Sequence, residues 1–230
     1  MHSHRLSKRP GTLARRLALA FGGLCLAAAP ATAAVLDYSF NEYVGSGTAG
    51  SSEPYGTVSL DNNNGGPDVT VTVSLAQGVG FVNTGAGYSL TWDLNGVSPI
   101  TVTGLTQGFS LVATTAGTLS ANASGSWQYA VSCDQSLCGN GGSKPDTSPL
   151  SFTIDNVSLS DFVANGKNDY FGSDVCIGVV NGKCGSGGVT GVVVATAQTT
   201  GTSSVPEPTT IALFGAALGS LVLLRRRHRA

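Results

Sequence analysis

Four stretches of this chain alternate apolar and polar residues with a period of two. Leu36, Tyr38 and Phe40 alternate with Asp37, Ser39 and Asn41, and Val69, Val71, Val73 and Leu75 with Thr70, Thr72 and Ser74. Tyr88, Leu90, Trp92 and Leu94 alternate with Ser89, Thr91 and Asp93, and Trp127, Tyr129 and Val131 with Gln128 and Ala130. Successive side chains of a strand point to opposite faces, so each pattern offers one face to a core and one to water. The apolar positions are rich in β-branched and aromatic residues, which suit a pleated, half-buried surface. Further strands fit Ile100 to Leu105, Phe109 to Ala113, Ser151 to Ile154 and Val189 to Ala197. Turn residues punctuate them: Asn62-Asn63-Asn64-Gly65-Gly66-Pro67, Asn95-Gly96 and Asn181-Gly182. No stretch carries a helical stripe, and Leu159 to Asn165 offers one turn at most. Short strands at this spacing predict one all-β domain over 34–198, an antiparallel β-sandwich with a jelly-roll-like winding.

Both ends of the chain break the pattern. Arg5, Lys8, Arg9, Arg15 and Arg16 precede an apolar run from Leu17 to Ala29, followed by Ala31-Thr32-Ala33. A basic segment, an apolar segment and a small-x-small site make a secretory signal peptide over 1–33, with cleavage by signal peptidase between Ala33 and Ala34. At the other end, the polar segment 199–204 reads as a flexible linker. Val205-Pro206-Glu207-Pro208 follows, and its prolines keep helix from propagating backward. The uncharged run Thr210 to Leu224 then predicts a single transmembrane helix, closed by Arg225, Arg226, Arg227 and Arg229. Its 15 residues reach about 22 Å as a helix, short of the roughly 30 Å hydrocarbon core, so spanning needs bilayer thinning or arginine snorkelling. The arginines would hold that end in the cytoplasm.

Proline clamp, apolar helix and arginine tail, in that order, resemble the PEP-CTERM sorting signal of Gram-negative bacteria, here over 205–230. The resemblance implies recognition by an exosortase in the inner membrane, removal of the tail, and export to the cell surface or extracellular matrix. A sortase signal of the Leu-Pro-x-Thr-Gly type is absent. Trp127-x-Tyr129, the stretch from Pro149 to Gly166 and Tyr170-Phe171-x-x-Asp174 are likewise similar to passengers of PEP-CTERM proteins over about 124–197, and carry no known catalytic residues. That likeness places Phe152, Ile154, Phe162 and Phe171 in a core.

Removing the ends changes the charge. The whole chain carries −1, but the passenger sets Lys144, Lys167 and Lys183 against twelve acidic residues, a balance of −9. Such a surface repels phosphate backbones, so a nucleic-acid partner is not expected. The passenger also has no histidine, since His2, His4 and His228 lie in the ends. Histidine-based triads and histidine-ligated metals are therefore excluded, and no cofactor is expected. Cys133, Cys138, Cys176 and Cys184 remain, and an oxidising destination favours disulfides over zinc. Three connectivities are open; local pairs, Cys133 with Cys138 and Cys176 with Cys184, are preferred because each brackets a short turn.

Two sites of chemistry remain to be weighed. Asp61, Asn63 and Asp68 offer hard oxygens on one turn, a weak calcium candidate that fails the EF-hand spacing. Asp155, Asp161, Asp169 and Asp174 form the densest acidic stretch, a source of a carboxylate pair for glycoside hydrolysis as a lesser alternative. The expectation is a non-catalytic exported protein, transiently anchored in the inner membrane and then associated with exopolysaccharide or biofilm. The alternative is a carbohydrate-binding or calcium-dependent adhesion module that stacks sugars on Trp92, Trp127, Tyr129 or Tyr170.

Overall fold

The computed structural model describes residues 34–49, 53–84, 87–121 and 124–199. In chain order its strands are β1 (Val35–Ser39), β2 (Glu42–Val44), β3 (Gly56–Asp61), β4 (Val69–Leu75), β5 (Val79–Phe81) and β6 (Leu90–Leu94). Then come β7 (Val102–Thr103), β8 (Phe109–Leu111), β9 (Leu119–Ser120), β10 (Ser126–Trp127) and β11 (Tyr129–Cys133). The last are β12 (Leu150–Ile154), β13 (Phe162–Val163), β14 (Phe171–Val180), β15 (Lys183–Ala195) and β16 (Gln198–Thr199). A four-residue helix, α1 (Gln135–Cys138), and a 3₁₀ turn at Leu159–Asp161 interrupt them.

One sheet runs β16-β1-β3-β4-β12-β7, and the other runs β2-β15-β14-β6-β11-β8, with β13 added to β6 and β5 to β14. Every pairing between named strands is antiparallel. The sheets meet face to face through aromatic contacts: Trp92 of β6 lies 5.4 Å from Phe152 of β12, and Tyr38 of β1 lies 5.1 Å from Phe171 of β14. A single core results, with Val58, Leu60, Val69, Val71, Val73, Leu150 and Ile154 on one side and Leu90, Trp92, Tyr129, Val131, Val175 and Val193 on the other. This is an antiparallel β-sandwich.

Strand β4 has the predicted alternation, with Val69, Val71 and Val73 buried and Thr70 and Thr72 half-buried. The eight-stranded sheet differs in its central strands β6, β11 and β14, which are buried on both faces. Phe171 to Ile177 are all buried, so β14 shows no alternation and escaped the period-2 reading. Beneath the outer covering, β14 closes tightly on its neighbours. A Cβ at Gly172 would meet Thr91 Oγ1 at 2.8 Å and Trp127 Cζ2 at 3.2 Å, so only glycine fits there. Strand β15 starts at Lys183, six residues before the predicted Val189, because the hairpin with β14 supplies hydrogen bonds through its Gly-rich stretch.

The structure joins Cys133 to Cys138 and Cys176 to Cys184, with Cα–Cα separations of 6.1 and 5.8 Å. The first bridge closes the loop that holds α1, and the second ties the β14–β15 hairpin. The loops are short, with sequence separations of 5 and 8. Loop closure therefore predicts that each paired Cys→Ala double variant loses about 2–3 kcal/mol, read as a lower urea midpoint at unchanged slope. A midpoint equal to wild type would mean that the bridge does not constrain the unfolded chain.

Candidate functional site

The candidate residues of the sequence fall into four places. Ala34, expected to open the mature chain, lies at the edge of β1. Its N–H donates to Asn62 Oδ1 at 2.9 Å, and its carbonyl accepts from the Asn62 N–H at 3.3 Å. Asn62 Oδ1 also accepts from the Gly65 N–H at 3.1 Å. The 61–68 turn is left-handed at Asn63, Asn64 and Gly65, with φ of 49°, 64° and 79°, which Asn and Gly tolerate better than other residues.

The calcium candidates lie in this same turn and hold it together. Asp61 Oδ1 accepts from the Asn63 N–H at 2.8 Å, and the Asn63 amide bonds Thr70 Oγ1 at 3.2 Å. Asp68 Oδ1 instead reaches across to the Asn156 N–H at 2.9 Å, tying this turn to the one after β12. Among the described residues no group of three or more His, Cys, Asp or Glu is arranged to hold a metal.

Three of the four proposed stacking residues are core. Trp92, Trp127 and Tyr129 are fully buried, Trp92 against Tyr129 at 5.8 Å. That corrects the sugar-platform reading at these positions: the side chains sit between the sheets or beneath the outer covering of the eight-stranded one. The Trp127 indole N–H donates to Ser124 Oγ at 3.1 Å, and Tyr129 O–H donates to the Val97 carbonyl at 2.6 Å. Tyr170 is half-buried and packs on Tyr38 at 5.1 Å.

The acidic stretch divides in two. Asp155 accepts from Thr103 Oγ1 at 3.3 Å, and Asp161 closes a capping box on Ser158, whose N–H and O–H lie 2.7 and 2.8 Å away. Both have structural roles at the surface. Asp169 and Asp174 are buried. Burial, and then the charge of Glu42, pushes the Asp169 carboxyl up to about 6 against the pull of Lys167. Burial likewise pushes Asp174 up to about 6, although the Thr84 O–H and N–H both donate to its Oδ2, at 2.7 and 2.9 Å. Asp174 Oδ1 is buried with no partner. Nearby, burial, then Asp174 and Tyr55, push the Tyr43 phenol up. Sequence reasoning placed Asp174 in the densest acidic stretch as a possible member of a carboxylate pair; its flanks, Phe171-Gly172-Ser173 and Val175-Cys176-Ile177, were the available signal of its burial.

A cleft beside Asp174, lined by Tyr88, Thr91, Ala121, Gly172 and Val192, is too narrow to admit a water molecule, so a sugar ring does not fit it. Asp174 anchors Thr84 through two hydrogen bonds.

The sorting residues Val205, Pro206, Glu207, Pro208, Arg225, Arg226 and Arg227, the expected helix 210–224, and the signal-peptide residues Ala31 and Ala33 lie outside the described residues. Thr199, read from sequence as the first linker residue, is the last of β16 and pairs with Asp37. Among the described residues no helix is long and apolar enough to cross a membrane. Residues 204–227 match the PEP-CTERM protein-sorting motif. The chain carries a PEP-CTERM sorting signal. A PEP-CTERM signal implies an exported, exosortase-processed protein. No curated protein and no solved structure matches the chain.

Proposed function

We propose that this PEP-CTERM chain is a non-catalytic surface or extracellular-matrix protein associated with exopolysaccharide, delivered by signal-peptide export and exosortase processing from a transient inner-membrane anchor. The observation that carries the reading is the sorting motif at 204–227 behind a disulfide-bonded, acidic sandwich. The repeated passage of the chain between its two sheets supports the jelly-roll-like description. The burial of Trp92, Trp127 and Tyr129 and the tightness of the cleft at Asp174 favour this reading over a sugar-binding module. The engagement of Asp155 and Asp161 in local hydrogen bonds and the burial of Asp169 and Asp174 favour it over a glycosidase that needs two carboxylates in one open cleft.

The test is replacement of Pro206-Glu207-Pro208 by alanines, followed by cell fractionation and intact mass. The full-length form is expected to accumulate in the inner membrane and the exported form to disappear. Export of the variant at the wild-type level would remove the sorting reading. Binding of the purified passenger to defined glycans on an array would replace the matrix role with a specific sugar site.

A further inference from the structure

Asparagine followed by glycine occurs five times in the chain, at Asn64-Gly65, Asn95-Gly96, Asn140-Gly141, Asn165-Gly166 and Asn181-Gly182. Such a pair can undergo a reaction that needs only water. The glycine backbone nitrogen attacks the asparagine side-chain carbon Cγ and gives up its proton. A C–N bond forms, the bond from Cγ to the side-chain nitrogen breaks, and ammonia leaves with the proton. Water then opens the cyclic imide at one of its two carbonyls, which leaves aspartate or isoaspartate. Glycine favours the first step because no Cβ obstructs the approach. The side-chain amide and the glycine nitrogen must be free to meet, so a hydrogen bond on either slows the reaction.

The fold treats the five pairs differently. Asn165 is buried, its Nδ2 donates to the Ser124 carbonyl at 3.0 Å, and its Oδ1 accepts from the N–H groups of Lys167 and Asp169 at 2.8 and 3.1 Å. That side chain is held away from Gly166. Asn64 and Asn140 are exposed, but the glycine nitrogens that follow them are engaged. The Gly65 N–H donates to Asn62 Oδ1 at 3.1 Å, and the Gly141 N–H to the Asn83 carbonyl at 3.4 Å. Asn95 and Asn181 are exposed too. Among the described residues, neither their side chains nor the N–H groups of Gly96 and Gly182 have a hydrogen-bond partner. Gly96 turns the chain after β6 at φ 71°, and Asn181 and Gly182, at φ 50° and 70°, form the two-residue turn between Val180 and Lys183.

We infer that Asn95-Gly96 and Asn181-Gly182 are self-modification sites, where the folded protein converts asparagine to aspartate and isoaspartate ahead of the other three pairs. This is independent of the sorting reading, since no enzyme takes part. At Asn181, isoaspartate adds a methylene to the backbone of a turn that sets Val180 opposite Lys183. Each conversion also adds one negative charge to a passenger already at −9.

The experiment follows the exported protein, folded and disulfide-bonded, through incubation in mildly alkaline buffer. Peptide maps that resolve aspartate from isoaspartate give the rate at each pair. Asn95 and Asn181 are expected to convert at least about tenfold faster than Asn165, and at least about threefold faster than Asn64 and Asn140. In the reduced, guanidinium-unfolded chain the five rates should fall within about threefold of one another, because the hydrogen bonds that separate them are gone. Asn62→Ala frees the Gly65 N–H and is expected to bring Asn64 up to the rate of Asn181. Asn62→Asp keeps the acceptor and should leave Asn64 slow. Equal rates at all five pairs of the folded protein would overturn the inference, as would Asn64, Asn140 or Asn165 converting first. An unchanged Asn64 rate in Asn62→Ala would show that a bound glycine nitrogen gives no protection, and would overturn it as well.

Discussion

Replacing Trp92 by alanine is expected to lower the unfolding free energy by about 3–5 kcal/mol. Trp92 occupies the middle of β6, opposite Tyr129 of β11 and Phe171 of β14. Its ring stacks on Tyr129 at 5.8 Å and leans on Phe152 of the other sheet at 5.4 Å, so it fills the space where the layers meet. Neighbours fixed in two hydrogen-bonded sheets cannot collapse into the void, which puts the cost at the upper end of the range for large-to-small changes. The indole N–H is buried without a partner. Trp92→Phe removes that orphaned donor along with part of the ring, so its cost should stay near 1–2 kcal/mol, because relief of desolvation offsets lost volume. Trp127→Phe breaks a real hydrogen bond to Ser124 Oγ and gains no such relief. Urea unfolding of the three variants decides the matter. A Trp92→Ala cost below about 1 kcal/mol would show that the two sheets are not packed through this ring.

How much of this was legible in the sequence depended on which strands keep one wet face. β4 and the wet-faced part of β12 could be read residue by residue, because Thr70, Thr72, Ser151 and Thr153 mark the outer side. β14 could not, since every residue from Phe171 to Ile177 is buried on either face of the sheet. β3 carries a short alternation, but with only Val58 and Leu60 as apolar members it fell below notice. β7 came out shorter than the predicted 100–105 because Gly104 turns the chain at φ 62°. The sorting tail was legible for the opposite reason: its signal is compositional and linear, with no dependence on fold. Asp174 was illegible in itself, since an aspartate looks the same in sequence whether water or a sheet surrounds it. Trp92 and Trp127 were legible as core from alternation alone, and that argument now outweighs their appeal as sugar platforms.

The pH dependence of stability should be unusual for so acidic a domain, and Asp174→Asn should remove much of it. Asp174 is 2% exposed, and burial raises its carboxyl from 3.8 to about 6. Between those values the folded protein holds a proton that the unfolded chain has released, so stability falls as pH rises through this window. The contribution is complete below pH 4 and lost above pH 6, at most about 3 kcal/mol for a shift of this size. Asp169, raised to about 6 with the same sign, steepens the same fall. Asparagine keeps an acceptor for the Thr84 N–H and O–H, which donate to Oδ2 in the wild type, and carries no charge. Its amide N–H₂ then occupies the position of the partnerless Oδ1 and inherits part of the desolvation cost. The net gain at pH 8 is therefore expected to be about 1–2 kcal/mol, shrinking to nothing near pH 4, where wild-type Asp174 is itself neutral. Urea midpoints of both proteins at pH 4 and pH 8 measure this directly. A variant less stable than wild type at pH 8 would mean that the ionised carboxylate is held by interactions beyond Thr84. A wild-type curve flat from pH 4 to pH 7 would mean that water reaches the Asp174 carboxyl despite its burial.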